Sequence, residues 1–401
     1  MPLILSFYPE TSPALRANDR TVLISISNRL LIILYLGRFI KSAFYLYNMR
    51  ALPLITDPVY VKPEKYSAID KFFLKRMRDE RDLPFVHLSL YITLTLIPLA
   101  VLLYLPFVTG WYWALAAIAY QYFNNIVFKG PFGLMLHCTS HRLLFQKKYG
   151  ILNYYIPWVL APLFGHSPET YFVHHIGMHH PENNLEQDES TTMPFQRDSF
   201  WDFMKYFGAF LFLSFINLPK YFLRRHRNTL LYKYVRGEML FFLFCAAMCF
   251  VNWPATLVVF IIPLFLFRLV AMMGNWAQHA FVSADDPANA YKNSITCINT
   301  KYNHKCWNDG YHISHHIKPA MHWTEHPVYF KSTLDEYVKN EAIIFDGIHF
   351  LHVYFWLMRK RYDLLAKHFV NVGDRFKSNE EIIAFLKGRT RKIEDRMYVA
   401  A

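Results

Sequence analysis

The sequence predicts an all-α membrane protein: about four transmembrane helices in two hairpins, with a cytoplasmic helical cap that carries clustered histidines. Three observations support this. Residues 86–108, "VHLSLYITLTLIPLAVLLYLPFV", are free of Lys, Arg, Asp and Glu, and a bilayer core takes ~20 such residues to cross. A later pair of apolar runs, 238–253 and 255–275, flanks Pro254. The chain is also 54% hydrophobic while carrying 43 Lys+Arg against 30 Asp+Glu, the balance of a membrane protein with a positive cytoplasmic face. Nucleic-acid binding, the rival reading of a basic chain, favours a basic patch on a soluble module. It would leave the apolar runs without a place, so no nucleic-acid partner is expected.

Taken in order, the N-terminus reads as lacking a cleavable leader, because Glu10, Arg16, Asp19 and Arg20 precede any apolar run. Residues 21–47 are apolar but interrupted by Arg29, Arg38 and Lys41, which suits an interfacial amphipathic helix. The charge-dense 70–82, "DKFFLKRMRDERD", reads as a solvated cytoplasmic segment. After the first span comes a "TGWYW" turn and a return span over 113–136, whose Gln121, Asn124 and Asn125 should face the bundle interior. In the second hairpin one run is short and the other contains Arg268, but together they pair. The basic stretch 224–237 before them fits the cytoplasmic side. Residues 150–164, 203–217 and 342–358 are too short or too polar to cross and are expected at the interface.

One catalytic region, 85–330, is expected between an N-terminal cytoplasmic or interfacial segment, 1–84, and a C-terminal cytoplasmic helical segment, 331–401. Five scattered cysteines without a CxxC pair exclude a disulfide framework and a thiolate metal site, and fit a reducing compartment.

The nineteen histidines are unevenly placed. "LHCTSHR" has His137 and His141 four apart, on one helical face, so both rings can reach one metal. "YFVHHIGMHHPENN" repeats that spacing in His175 and His179, with His180 beside them. "GNWAQHAF" offers Asn275 and His279, and "GYHISHHIKP" offers His312, His315 and His316. Core histidines satisfied by hydrogen bonds would not gather at the cytoplasmic ends of two hairpins, where ionisable groups are functional candidates by default. Nine imidazoles exceed what one ion accepts, so two ions are expected. Imidazole suits zinc, copper, iron and nickel. Catalytic zinc takes three ligands and an open position, leaving spares, whereas a redox-active pair, iron above all, would use the whole set. The Glu-x-x-His pairing of soluble di-iron bundles is not found beside these clusters.

"HCTSH", "HHIGMHH" and "HISHH" are similar to the three histidine boxes of integral-membrane fatty acid desaturases, hydroxylases and alkane monooxygenases. "NWAQH" resembles an asparagine-to-histidine element that acyl-CoA desaturases carry after their last span. The resemblance covers roughly residues 85–330. It implies a non-haem di-iron centre with His137, His141, His175, His179, His180, His279, His312, His315 and His316 as ligands. Asn275 would hold a metal-bound water, and O2 would be the co-substrate.

Around these, His174 is one histidine too many for its box and is read as supporting rather than ligating. Glu182, Glu186, Asp188, Glu189, Asp285, Asp286 and Asp309 could orient ligand histidines or form a solvated acidic loop. His166, His304, His322 and His326 are given structural or surface roles. Trp276 and Trp307 are expected to pack or line a channel, and Cys138 to be a small buried residue.

The function expected is desaturation of a long-chain acyl lipid, with a hydroxylase or alkane-type monooxygenase as the alternative, since box spacing does not separate them. A non-catalytic lipid sensor would show degenerate boxes, and these are intact. No "HPGG" haem-domain signature and no rubredoxin-type CxxC pair occurs, so a separate electron donor is expected, a ferredoxin or a small haem cytochrome with its reductase. The setting expected is a bacterial inner membrane or the endoplasmic reticulum, with the site facing the cytoplasm. The basic residues Arg142, Lys147, Lys148, Arg224, Arg225 and Arg227 fit an anionic head group or plain positive-inside topology.

Overall fold

The computed structural model describes residues 52–393; the amphipathic segment read at 21–47 lies outside them. Helix α1, Ala68–Leu74, starts at a capping box in which Ser67 accepts from the Asp70 amide and the Asp70 side chain accepts from that of Ser67. Asp70 then meets His87 at 2.6 Å, tying α1 to α2, Leu83–Tyr104. With the short turn before it, α2 forms a 25-residue helix, Glu80–Tyr104, long and apolar enough to cross a membrane. Helix α3, Gly110–Tyr122, packs back on α2, and the Trp113 indole donates to the Leu103 carbonyl at 3.0 Å.

A π-helical turn, Phe123–Phe128, joins α3 to α4, Lys129–His141. The polar residues of this run face inward for a specific reason. Tyr120 Oη donates to the carbonyls of Leu163 and Val259, Asn124 Nδ2 to Leu163 and Gln121 Nε2 to Val258. Those carbonyls belong to irregular turns, 3₁₀ over Ala161–Phe164 and π over Leu257–Ile261, where acceptors fall out of the α-helical ladder and need another donor in an apolar setting. Gly165 closes the first of these turns with φ +76°, and a Cβ there would sit 2.0 Å from the Leu264 backbone nitrogen; only glycine fits.

The second pair of apolar runs folds back on itself. Helix α6, Asn228–Thr256, breaks near its end at Asn252, with φ −161° and ψ 95°, and a π-helical turn, Leu257–Ile261, leads into α7, Ile262–Gln278. Arg268 of α7 comes within 3.6 Å of Glu238 of α6, and the Phe244 and Phe260 rings sit 5.3 Å apart, so the chain reverses there.

Three expectations change. Residues 203–217 are the middle of a 25-residue helix, α5, Phe200–Arg224, which is also long and apolar enough to cross. Lys205, Pro219 and Lys220 had hidden its length. Among the described residues three helices meet that standard, the third being Asn228–Gln278, which takes α6 and α7 together; the run 113–136 is not among them, since Gln121, Asn124, Asn125 and Lys129 dilute it. Residues 342–358 are no single helix either. Ile343–Asp346 forms strand β2, paired in parallel with β1, Ile295–Ile298, with Ile295 opposite Ile343, and helix α9, Phe350–Met358, follows. The mostly helical fold therefore includes a small sheet, built from short β-branched runs that are almost wholly buried. Since β2 lies beyond residue 330 and α9 packs on α7, one layer joins both sides of the boundary read there.

Candidate metal centre

Helix α4 ends with His137 and His141 one turn apart. The second cluster starts on a short helix, Thr170–His174, and continues through a π-helical turn, His175–His179. The third lies on α8, His312–Ile317, and His279 caps the end of α7. The nine side chains converge into two groups: His137, His141, His175, His180 and His315 in one, and His179, His279, His312 and His316 in the other. Within each group the ligand nitrogens lie within 4.8 Å of one another. In the first, Nε2 atoms approach to 2.9 Å for His137–His315 and His180–His315, 3.0 Å for His175–His180 and 3.1 Å for His141–His175. In the second, His279–His312 measures 3.2 Å and His312–His316 3.0 Å.

The division differs from the i, i+4 reading at one place. His175 and His179 do not share a group, because a π turn aligns residues five apart, and it is His180 that joins His175. On α8 the ordinary helical pitch aligns His312 with His316 and turns His315 to the other group.

The geometry suits cations. Metal–nitrogen bonds of about 2.0–2.1 Å place neighbouring ligand nitrogens about 3 Å apart. The rings are also proton-poor. Burial, reinforced by neighbouring histidines, pushes His180 down to about 2 and His279 to about 4, and burial alone takes His141 to about 4. His137, His175, His312, His315 and His316 are pushed well below the ordinary range by the same causes. Lone pairs therefore face one another across each group without protons between them, an arrangement a metal ion would relieve.

The second ring nitrogens fix the tautomers. His179 Nδ1 donates to Asp188 Oδ2 at 2.6 Å. Asp188 also accepts from the Ser190 amide and hydroxyl and the Asn184 amide. Burial pushes Asp188 up, but the His179 ring and the hydrogen bonds from His179 and Ser190 outweigh it and hold the carboxyl well below its usual range. His279 Nδ1 donates to the Asn293 carbonyl at 3.0 Å. Asp309 lies 3.9 Å from His137 Nδ1, and burial raises it to about 7. Asn275 donates its Nδ2 to the Ser190 carbonyl and Tyr206 Oη, leaving Oδ1 for another partner, and it lines the same cavity as His179 and His312.

The remaining candidates separate cleanly. His174 belongs to neither group and stacks 6.3 Å from His179. Glu182 pairs with Arg225 and Tyr221, Glu189 with Asn217 and Asp286 with Lys292, while Glu186 and Asp285 are exposed. His322 binds Asp82 at 2.9 Å, and His326 takes Ser314, between two ligand candidates, at 2.7 Å. His304 is exposed and His166 half-buried. Trp276 is buried and donates to the Arg197 carbonyl, Trp307 donates to the Pro131 carbonyl, and Cys138 is half-buried.

Sequence reasoning missed Asn293 and Asp57. Buried Asp57 accepts from Tyr311 Oη, the Asn299 amide and Asn303 Nδ2, so it anchors the residue just before His312. Neither sits near a box in the sequence, and nothing in the local pattern marks them.

A cavity of about 390 Å³ runs alongside both groups, lined among others by His137, His175, His179, His312, Phe267 and Met272. Helices long and apolar enough to cross a membrane, two adjoining imidazole groups that could hold metal ions and a largely apolar cavity beside them fit a metal-dependent membrane enzyme. The family model described as fatty acid desaturase matches residues 126–346, more than half of the chain: it belongs to the fatty acid desaturase family. No curated protein matches it.

Proposed function

We propose that the chain is a membrane-bound desaturase that uses O2 and two electrons at a non-haem di-iron centre to insert a double bond into the chain of an acyl-lipid or acyl-CoA. The observation that carries this is the convergence of nine imidazoles into two adjacent groups beside a lipid-sized cavity. His137, His141, His175, His180 and His315 would hold one iron, and His179, His279, His312 and His316 the other, with Asn275 Oδ1 accepting from a water on the second. Bound iron would supply activation of O2 and removal of hydrogen from an unactivated C–H bond. The chain's own part is positioning. Asp188 and Asn293 hold two ligand rings in one tautomer, and the cavity wall lays an alkyl chain along both groups while excluding water.

Two hairpins inserted from one side support a site facing the cytoplasm. Their tips expose Trp111 and Phe250, 84% and 94% accessible, as suits the far side of a bilayer, and the histidines lie at the opposite ends of the same helices. The electron donor is separate, a ferredoxin or a small haem cytochrome with its reductase, and the membrane is a bacterial inner membrane or the endoplasmic reticulum.

The test is expression with a compatible donor and mass-spectrometric analysis of total lipids, with His179→Ala and His315→Ala as controls. Chains lighter by two hydrogens, present only with the native histidines, are expected. Chains heavier by one oxygen would make the enzyme a hydroxylase, and unchanged lipids in every strain would refute the proposal.

A further inference from the structure

The cavity beside the histidines has a second, polar end. Lys129, at the start of α4, is 6% exposed, and its Nζ has no hydrogen-bond partner. Its nearest ring neighbours are Phe267 at 5.2 Å and Phe164 at 6.0 Å. Glu238 of α6 is also 6% exposed, and Ser167, Thr170 and Arg268 surround it, Arg268 at 3.6 Å. His166 Nε2 is buried and unpaired like Lys129 Nζ. All six residues line the one cavity that also reaches His137, His175 and His179.

An unmet lysine near an unmet imidazole within a membrane bundle calls for an occupant. A buried polar group without a partner is costly, and ionisable residues inside a membrane mark ligand pathways. An apolar chain end would leave Lys129 Nζ and His166 Nε2 unmet. A hydroxyl can accept from Lys129, which a methyl terminus cannot. The distance also fits. Lys129 precedes His137 by eight residues on the same helix, about 12 Å at 1.5 Å per residue, and Arg268 precedes Asn275 by seven on α7, about 10 Å. The polar floor thus lies well below the histidines, where the far end of a bound chain would rest.

We infer that this floor is a specificity subsite for a lipid whose inserted chain carries a hydroxyl at its deep end, with Lys129 as the residue that selects it. The inference rests on the reading of the protein as a lipid-oxidising enzyme.

The test uses the purified, iron-loaded full-length protein in detergent, measuring displacement of a fluorescent fatty-acid probe by methyl hexadecanoate and by the methyl ester of ω-hydroxyhexadecanoate. The native protein should bind the hydroxylated ester at least about tenfold more tightly, the discrimination expected of a hydrogen bond to a charged group. In Lys129→Met the ratio should fall towards one. Unchanged iron content in the same samples separates loss of the polar contact from misfolding. A ratio near one in the native protein, or a ratio unchanged in Lys129→Met, overturns the inference. If methyl hexadecanoate binds and is oxidised while the hydroxyl adds nothing, this subsite alone is refuted. If neither ester displaces the probe and no lipid is altered in cells, the lipid-oxidising reading falls too.

Discussion

Replacing Asp188 by asparagine would test how far the second group depends on a single carboxylate. Asp188 is fully buried and holds His179 Nδ1 at 2.6 Å, while three further donors from Asn184 and Ser190 keep it in place. Asp188→Asn keeps the shape and one acceptor but removes the negative charge, so the His179 ring is less basic and no longer confined to one tautomer. Losing a partner of this kind typically weakens a metal site by about 10–100-fold, about 1.4–2.7 kcal/mol at 25 °C. The substitution is isosteric and the first group keeps all five of its own rings, so the fold should survive. Iron per chain, measured by elemental analysis after equilibration with graded chelator, should fall from two towards one at about 10–100-fold lower chelator than in the native protein. Circular dichroism would confirm an unchanged helix content. If both irons persisted through the native chelator range, the idea that Asp188 orients a ligand would be wrong.

Three other outcomes follow from the same geometry. The folded protein refuses protons at His141 and His279 down to about pH 4, whereas the unfolded chain takes them from about pH 6.5. Metal-free protein should therefore keep its full stability above pH 6.5 and lose it as the pH falls from 6.5 towards 4; a thermal midpoint flat across that window would contradict the assignment. Asp57→Ala would strand Tyr311 Oη and Asn303 Nδ2 without that acceptor, costing about 1–3 kcal/mol for each donor left unpaired, visible as a lower thermal midpoint and lower iron occupancy. Gly165→Ala would drive a methyl group into the Leu264 backbone and should destabilise the bundle by more than the ~1 kcal/mol of an ordinary glycine-to-alanine effect, read by thermal unfolding in detergent.

Much of this centre was legible in the amino-acid order. Imidazoles four apart stand out in any chain, and runs without charge mark the hairpins. What stayed hidden has physical causes. A π turn leaves no mark on spacing, so His175 and His179 read as partners although the extra residue in that turn hands the place to His180. Asp57 and Asn293 act from positions far along the chain, which local pattern cannot reveal. Strand β2 sits in an apolar run that reads equally as helix, and its pairing with β1 is decided by tertiary contact. Helix α5 was shortened on paper by two lysines and a proline that its full length accommodates.

The manner in which the second and third clusters distribute their rings has a mechanical consequence. Each gives its outer two histidines to one group and its middle one to the other: His175 and His180 against His179, and His312 and His316 against His315. The two short helical segments thus act as straps threaded through both positions, and the gap between those positions is set by the pitch of each segment's own backbone. Breathing of the bundle that shifts a strap would carry both positions with it, so their separation would hold while the lipid-facing walls around them flex.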